Sequence, residues 1–175
     1  MNENFTELRN AIRDIPDFPK KGIIFKDITT LIGKGDLFRK TIDGLIGKYR
    51  DKKINKVVGV ESRGFIFGAA LAYGLSAGFV PIRKKGKLPY KTVSGTYQLE
   101  YGSDTIEMHE DAVAKGDKVI LVDDLLATGG TMKAATGLVK NSGAEIAGIA
   151  FVVELSFLKG REKLSGYDVF SMIKF

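Results

Sequence analysis

Short apolar runs alternate with helix-compatible segments along most of this chain. Four of these runs predict buried strands, at residues 56–60, 79–82, 118–122 and 146–153. Four further segments predict helices, at residues 4–14, 35–50, 64–73 and 132–141. Repeated strand, helix, strand units imply right-handed crossovers, so the pattern predicts an α/β fold with a central parallel sheet flanked by helices.

Two segments break this alternation. Residues 17–30 combine prolines with Gly22 and an apolar triplet, which predicts an irregular flap. Residues 92–107 alternate and contain β-formers, which predicts a hairpin or flexible β-arm that projects from the sheet. Without a repeat or linker, we expect one domain over residues 1–175, with a hood at about 1–34, a core at about 35–175 and a flexible loop at about 92–107.

Two carboxylates, Asp123 and Asp124, come directly after the apolar run at 119–122. Ligands of open α/β sheets bind beyond the carboxyl ends of the strands, so this pair stands where a ligand is expected. Two plainer interpretations compete with a binding role: the acids are merely solvated, or they hold a metal and a phosphoryl group as in receiver domains.

A loop of small and hydroxyl residues follows the acidic pair and precedes a predicted helix. We call this loop the cradle; its residues are Ala127, Thr128, Gly129, Gly130 and Thr131. Its N–H groups and the positive end of the helix dipole form a phosphate site, although a glycine turn capped by a threonine is the simpler interpretation. Paired carboxylates beside a phosphate site suit the vicinal hydroxyls of a phosphorylated ribose.

The segment 122–131 resembles the phosphoribosyl pyrophosphate (PRPP) signature of the type I phosphoribosyltransferases, in the version found in the adenine phosphoribosyltransferases. Further matching blocks lie at residues 16–19, 22–29, 61–68, 82–89, 99–102 and 158–164. They follow the family order and cover nearly the whole chain, whereas one short motif alone would be weak. Lys21 and Thr30 depart from the family pattern, in which we expect proline. The resemblance implies the type I phosphoribosyltransferase fold.

The resemblance assigns both aspartates to the ribose hydroxyls and the cradle to the 5′-phosphate. It also assigns a set of residues to pyrophosphate, namely Ser62, Arg63, Arg83, Lys84 and Lys87. An arginine fork can grip two phosphate oxygens at once. The competing interpretations are a surface Arg63 paired with Glu61 and, for the others, a solvated basic loop.

The resemblance also places the base and the proton transfer. Glu100 would accept a proton at purine N7 from a mobile loop, with Tyr101 holding that loop shut; a solvent-facing position in the β-arm is the alternative. The flap would cover adenine, with Phe25 stacking on the base and the backbone of Ile24 and Lys26 reading its edge. A hydrophobic plug over the core is the alternative there. Leu155 would close the pocket from below.

Composition narrows the partners. The chain has no cysteine and one histidine, which excludes thiolate chemistry and leaves little for a histidine metal site. The resemblance implies that Mg²⁺ arrives with PRPP and that the protein is a homodimer. The net charge is +6, and basic residues cluster in one stretch at residues 83–91. This clustering favours a small anionic substrate over nucleic acid. With no leader-like start and no apolar run that could cross a bilayer, we expect a cytoplasmic protein without a membrane partner.

The implied reaction joins adenine to the phosphoribosyl group of PRPP and gives AMP and pyrophosphate. One alternative is a phosphoribosyltransferase for 6-oxopurines, but those families usually place a lysine where this chain has Glu154-Leu155-Ser156. The other alternative is a non-catalytic nucleotide-sensing regulator of the same fold. Such a regulator usually needs an added DNA-binding segment, for which 175 residues leave no room.

Overall fold

The structure is a computed structural model that describes residues 5–98 and 103–175. Its contacts divide the chain into two compact units, Met1–Gly44 and Leu45–Phe175. The predicted single domain with a hood at about 1–34 stays a prediction.

The first unit contains two short helices and a two-stranded sheet. Helix α1 is Thr6–Ala11, strand β1 is Arg13–Pro16, strand β2 is Ile24–Asp27 and helix α2 is Thr29–Ile32. The strands are antiparallel, and an ion pair of 2.6 Å between Arg13 and Asp27 closes one end of the pair. The predicted helix 4–14 is therefore too long, because the chain turns extended at Ile12 to enter β1. The prediction of an irregular flap at 17–30 is wrong for part of the segment, since residues 17–30 contain β2 and the start of α2.

The second unit is built on a seven-stranded sheet. Helix α3, Gly35–Tyr49, leads into it. Its remaining elements are β3 (Lys56–Val60), α4 (Gly64–Leu75), β4 (Gly78–Lys84), β5 (Thr92–Gln98), β6 (Ser103–His109), β7 (Lys118–Leu126), α5 (Gly130–Asn141), β8 (Glu145–Glu154) and β9 (Val169–Lys174). Short 3-10 helices lie at Arg50–Lys52, Ser156–Leu158 and Gly160–Leu164.

The strand order across the sheet is β5-β6-β4-β3-β7-β8-β9. The pairs from β4 through β9 are parallel, and the pairs of β6 with β4 and with β5 are antiparallel. The α/β prediction with a central parallel sheet is thus confirmed. The predicted β-arm is the β5–β6 hairpin, but its strands form one edge of the sheet, and Gly95 on β5 lies against Leu138 of α5. Strand β9 is absent from the predicted elements.

Packing explains why β3, β7 and β8 are almost continuously apolar. Helix α4 contacts β3, β4 and β7, and helix α5 contacts β5 through β8, so the central strands meet side chains rather than water. The core between these layers includes Val58, Leu121, Leu138 and Phe151, each at most 3% exposed. This core fixes the carboxyl ends of β3, β4 and β7, where the polar residues described next are found.

Candidate functional site

Asp123 and Asp124 lie within β7 rather than after it. The sequence predicted the end of this strand at residue 122, but β7 continues to Leu126 because β8 keeps pairing with it through Glu154. Asp123 Oδ1 accepts a hydrogen bond of 2.9 Å from the Asp124 N–H. Burial, and next the negative charge of Asp124, raise the pKa of Asp123 well above its usual range. Two neighbouring carboxylates, one half-buried and one buried, favour ligands that donate hydrogen bonds to them.

Arg63 reaches the acidic pair from the loop after β3. Its Nε lies 2.8 Å from Asp124 Oδ2, so it pairs with the site aspartate and not simply with solvent. Burial raises the pKa of Asp124, and the Arg63 charge opposes that rise. Asp124 Oδ2 is itself buried, and the ion pair with Arg63 compensates its charge.

The cradle begins where β7 ends. Gly129 has a φ of +77° and is the N-cap of α5, and no side chain caps this helix. The interpretation of Thr128 or Thr131 as the capping residue is therefore wrong. The first N–H groups of α5 have no side-chain partner, which is the arrangement that binds an anion at a helix N-terminus.

A cavity of about 80 Å³ lies between Asp123 and the cradle. Asp123 lies on its wall with residues 125–132 and Phe151. The carboxylate of Asp123 and the uncapped N–H donors therefore border one cavity. Phe151 was not among the predicted site residues, because an apolar residue in a buried strand gives no sign of a ligand.

The predicted strand 79–82 extends to Lys84, so Arg83 and Lys84 end β4 and Lys87 follows it; all three contact a single carboxylate, that of Glu61. Lys87 Nζ lies 2.7 Å from Glu61 Oε1, and Arg83 Nε lies 3.3 Å from Oε2. The N–H of Lys84 donates to the same oxygen at 2.9 Å. Burial opposes ionisation of Glu61, but these donors outweigh it and lower the pKa of Glu61 to about 2. The loop is therefore organised and is not a merely solvated charge run.

Lys84 is oriented differently from its neighbours. Its ammonium pairs with Asp104 of β6 at 3.2 Å, so the side chain ties the loop to the hairpin. Ser62 is exposed in the loop after β3, and the peptide bond that precedes it is cis. The sequence suggests Glu61 only as a partner of Arg63. Its contacts with Arg83, Lys84 and Lys87 were therefore not predicted.

Two glycines allow close packing around the acidic pair and the cradle. A Cβ on Gly64, the first residue of α4, would lie 2.9 Å from Asp123 Oδ1. A Cβ on Gly160 would collide with the Ala127 carbonyl oxygen. Both glycines occur in the blocks that resemble the family, but only the structure shows what each one contacts.

A family model for the phosphoribosyl transferase domain matches residues 30–174. The chain belongs to the phosphoribosyltransferase family. Curated relatives named adenine phosphoribosyltransferase include one from Syntrophotalea carbinolica, 60% identical over 97% of this chain and 99% of the relative. Another, from Clostridium kluyveri, is 59% identical over 96% of this chain and 98% of the relative.

Solved structures of phosphoribosyltransferases have the same fold. Adenine phosphoribosyltransferase from Thermoanaerobacter pseudethanolicus superposes with a TM-score of 0.93 at 52% identity, over 97% of this chain and 98% of that one. The Saccharomyces cerevisiae enzyme, solved with adenine and an imino-altritol bisphosphate, has a TM-score of 0.92 at 44% identity, over 98% of this chain and 99% of that one. These similarities confirm the predicted type I phosphoribosyltransferase fold.

The remaining site predictions fall in other parts of this phosphoribosyltransferase. Leu155 directly follows β8 and donates its N–H to the Leu126 carbonyl at 2.9 Å. In the first unit, Phe25 contacts Phe18 edge to face with ring centroids 5.2 Å apart, and Lys26 pairs with Asp14 at 2.6 Å. Ile24 is 55% exposed. Glu100 and Tyr101 lie outside the described residues.

Over residues 5–98 and 103–175, no group of three or more His, Cys, Asp or Glu side chains is arranged to hold a metal ion. No helix in that part of the chain is both long and apolar enough to span a bilayer.

Proposed function

We propose that this chain is an adenine phosphoribosyltransferase, which converts adenine and PRPP to AMP and pyrophosphate in purine salvage. The observation that carries the proposal is the cavity that Asp123 shares with the uncapped cradle. The high identity to relatives of that name, over nearly the full length of both chains, supports the choice of reaction.

The ribose phosphate part of PRPP binds at the end of β7. Asp123 and Asp124 accept hydrogen bonds from the 2′ and 3′ hydroxyls, and the position of Asp123 on the wall of the cavity beside the cradle supports this assignment. Residues 127–131 bind the 5′-phosphate through backbone N–H groups, which the positive φ of Gly129 makes accessible.

The pyrophosphate part of PRPP binds between β3 and β4. Arg63 and Ser62 lie on one side of this position, and Arg83, Lys84 and Lys87 lie on the other. Glu61 uses one N–H donor of Arg83 and one of Lys87, so both cations keep donors for phosphate oxygens. Departure of pyrophosphate leaves an oxocarbenium-like ribose, as in glycoside hydrolysis, so the protein needs no nucleophile of its own.

Mg²⁺ is proposed to arrive bound to PRPP. The donor set fits this arrangement, since the described site offers cations for phosphate oxygens and a carboxylate pair that suits hydroxyl donors, without a protein cage for a metal. When bound, Mg²⁺ neutralises charge on the departing pyrophosphate.

Base binding and proton transfer are assigned from the family resemblance. Glu100 removes the extra proton from N7 as N9 attacks, and Tyr101 helps hold the loop shut. Ile24, Phe25 and Lys26 bind adenine, and Leu155 closes its pocket. A backbone acceptor for the exocyclic amino group discriminates against 6-oxopurines, because an unpaired buried polar group costs about 1–3 kcal/mol.

A homodimer is proposed as the assembled form. Helix α4 is apolar on all sides, and Ile66, Ala69 and Tyr73 on it are exposed in the single chain. Apolar helices of this kind are normally covered, which supports a protein partner for that surface. The cytoplasmic location stays a prediction of the sequence.

The proposal is tested by pyrophosphate release from PRPP and Mg²⁺. Reactions with adenine, hypoxanthine, guanine and no base are run in parallel on the wild-type protein. Release with adenine alone is the expected result. Equal or faster release with a 6-oxopurine would contradict the adenine assignment, and no release with any base would favour the regulator.

A further inference from the structure

The side chain of Arg161 is held at three points on two strands. Its Nε and Nη2 donate to the two carboxylate oxygens of Glu154 at 3.1 and 2.5 Å. Its Nη1 donates to the Val169 carbonyl at 2.7 Å, and Nη2 also donates to Ser171 Oγ at 3.0 Å. Glu154 ends β8, whereas the other two partners are on β9. These hydrogen bonds fix the planar guanidinium group in one orientation. A lysine ammonium group could not make the same set of bonds.

The negative charge of Glu154 is compensated by the guanidinium group of Arg161. The residue is 5% exposed, and burial alone would raise its pKa. Hydrogen bonds from Arg161 and Ser171 outweigh burial and hold the pKa of Glu154 below its usual range. The carboxylate is therefore committed to Arg161 and contributes no acceptor to a ligand.

Gly160, the residue before Arg161, lies directly on the cradle. A Cβ on Gly160 would collide with the Ala127 carbonyl oxygen and would lie 2.9 Å from the Gly129 nitrogen. In the reverse direction, a Cβ on Gly129 would collide with the Gly160 carbonyl oxygen. The contact thus joins backbone to backbone, so a shift of Gly160 moves the cradle with no flexible side chain to absorb it.

We propose that Arg161 is a positioning residue for the 5′-phosphate cradle, acting through Gly160. Its anchors on β8 and β9 set where the segment Gly160–Leu164 begins, and Gly160 sets the backbone of the cradle. Leu164, 1% exposed, holds the other end of the segment in the core. The inference rests on the proposed function, since it takes the cradle to be the site of the 5′-phosphate of PRPP.

The proposal predicts different effects on two ligands, because the proposed site binds them on different loops. Ribose 5-phosphate uses the cradle, whereas pyrophosphate uses the loops after β3 and β4. A purely structural Arg161 would stabilise the whole sheet and would not distinguish them. We therefore expect Arg161→Lys to raise the Kd of ribose 5-phosphate about tenfold, as loss of one hydrogen bond to a charged group does, and to leave that of magnesium pyrophosphate unchanged.

The experiment measures both dissociation constants by calorimetry, well below the thermal midpoint of each variant. Lys163→Ala is the matched control, because Lys163 is an exposed cation on the same segment, and it is expected to leave both constants unchanged. Ser171→Ala removes only one of the four hydrogen bonds of Arg161, so it is expected to fold and to produce a smaller rise for ribose 5-phosphate alone.

Equal weakening of both ligands, or a fall in thermal midpoint with unchanged ribose 5-phosphate affinity, would overturn the proposal. Turnover of PRPP with adenine is measured on the same samples, where KM for PRPP should rise more than kcat falls. If the wild type binds ribose 5-phosphate but transfers no base, the proposed function fails while the binding comparison still decides the role of Arg161. Normal transfer with no selective effect in either variant rejects the positioning role alone.

Discussion

The guanidinium of Arg63 contacts the carboxylate of Asp124, with 2.8 Å between Nε and Oδ2. Arg63 follows β3 and Asp124 lies within β7, and these two strands are neighbours in the sheet. The contact joins a residue assigned to the leaving group with one assigned to the ribose. A change at either residue should therefore affect the other part of the substrate.

Arg63→Ala should weaken PRPP binding and change its pH dependence. Loss of a charged donor to pyrophosphate should raise KM for PRPP about tenfold or more. The pKa of Asp124 is already raised by burial, and removal of the opposing Arg63 charge raises it further. Because the ribose hydroxyls need an ionised acceptor, the rise of KM with falling pH should begin at a higher pH in the variant. Superimposable pH profiles of KM would contradict this coupling, and the exposed Arg50→Ala serves as control.

Glu61→Gln should remove a stabilising contribution that depends on pH. The pKa of Glu61 is about 2 in the folded protein against an ordinary 4.5, so the native state binds fewer protons than the unfolded state between these values. The contribution is complete above pH 4.5 and is lost as the pH falls toward 2. Urea unfolding at several pH values should show a shallower acid loss of the free energy of unfolding in the variant. Glu145→Gln, which breaks the exposed pair with Lys118, should leave the wild-type slope unchanged.

Gly129→Ala should damage the protein more than backbone strain alone explains. Gly129 and Gly116 both have positive φ, but a Cβ on Gly116 meets open space whereas one on Gly129 collides with Gly160. We expect Gly116→Ala to lower the free energy of unfolding by about 1–2 kcal/mol. The Gly129 variant should lose more than that and should also bind ribose 5-phosphate more weakly. Equal losses in the two variants would mean that the contact with Gly160 is easily relieved.

Glu100→Gln should slow base transfer with little effect on PRPP binding. A glutamine cannot accept the N7 proton, and general base catalysis contributes about 10²–10⁴-fold to rates. Pyrophosphate release with adenine, measured at saturating substrates, should fall by a factor in this range. The exposed Glu110→Gln controls for loss of a carboxylate elsewhere in the chain. A variant that retains wild-type kcat would remove Glu100 from the mechanism.

The elements best predicted from the sequence are those whose burial is local and continuous. Strand β3 has the predicted bounds, and α3 differs from the prediction by one residue. Strands β1 and β9 were missed for different reasons. The first has only four mostly exposed residues and depends on its partner β2, and the second is defined by its pairing with β8.

In the candidate site too, features set by neighbouring residues were predicted, and contacts between distant residues were not. Residues 127–131 could be predicted as a phosphate loop because such a loop is a short contiguous motif with its own backbone chemistry, and this role stays a prediction. The partnership of Glu61 with Lys87 spans 26 positions, and that of Gly160 with Gly129 spans 31, and nothing local in the sequence indicates either one. The family resemblance supplied the roles of Glu100 and Tyr101, which periodicity alone would have left as part of a β-arm.

The loop after β3 sends two neighbouring charges in opposite directions. Glu61 reaches the loop that follows β4, and Arg63, only two residues later, reaches β7. The two parts of the proposed substrate are therefore separated by one strand, and adjacent strands are held about 4.8 Å apart by their hydrogen bonds. Side-chain substitutions can change how tightly each part is held, but they cannot change that separation. The backbone of the sheet thus sets the spacing between the two proposed anion-binding positions.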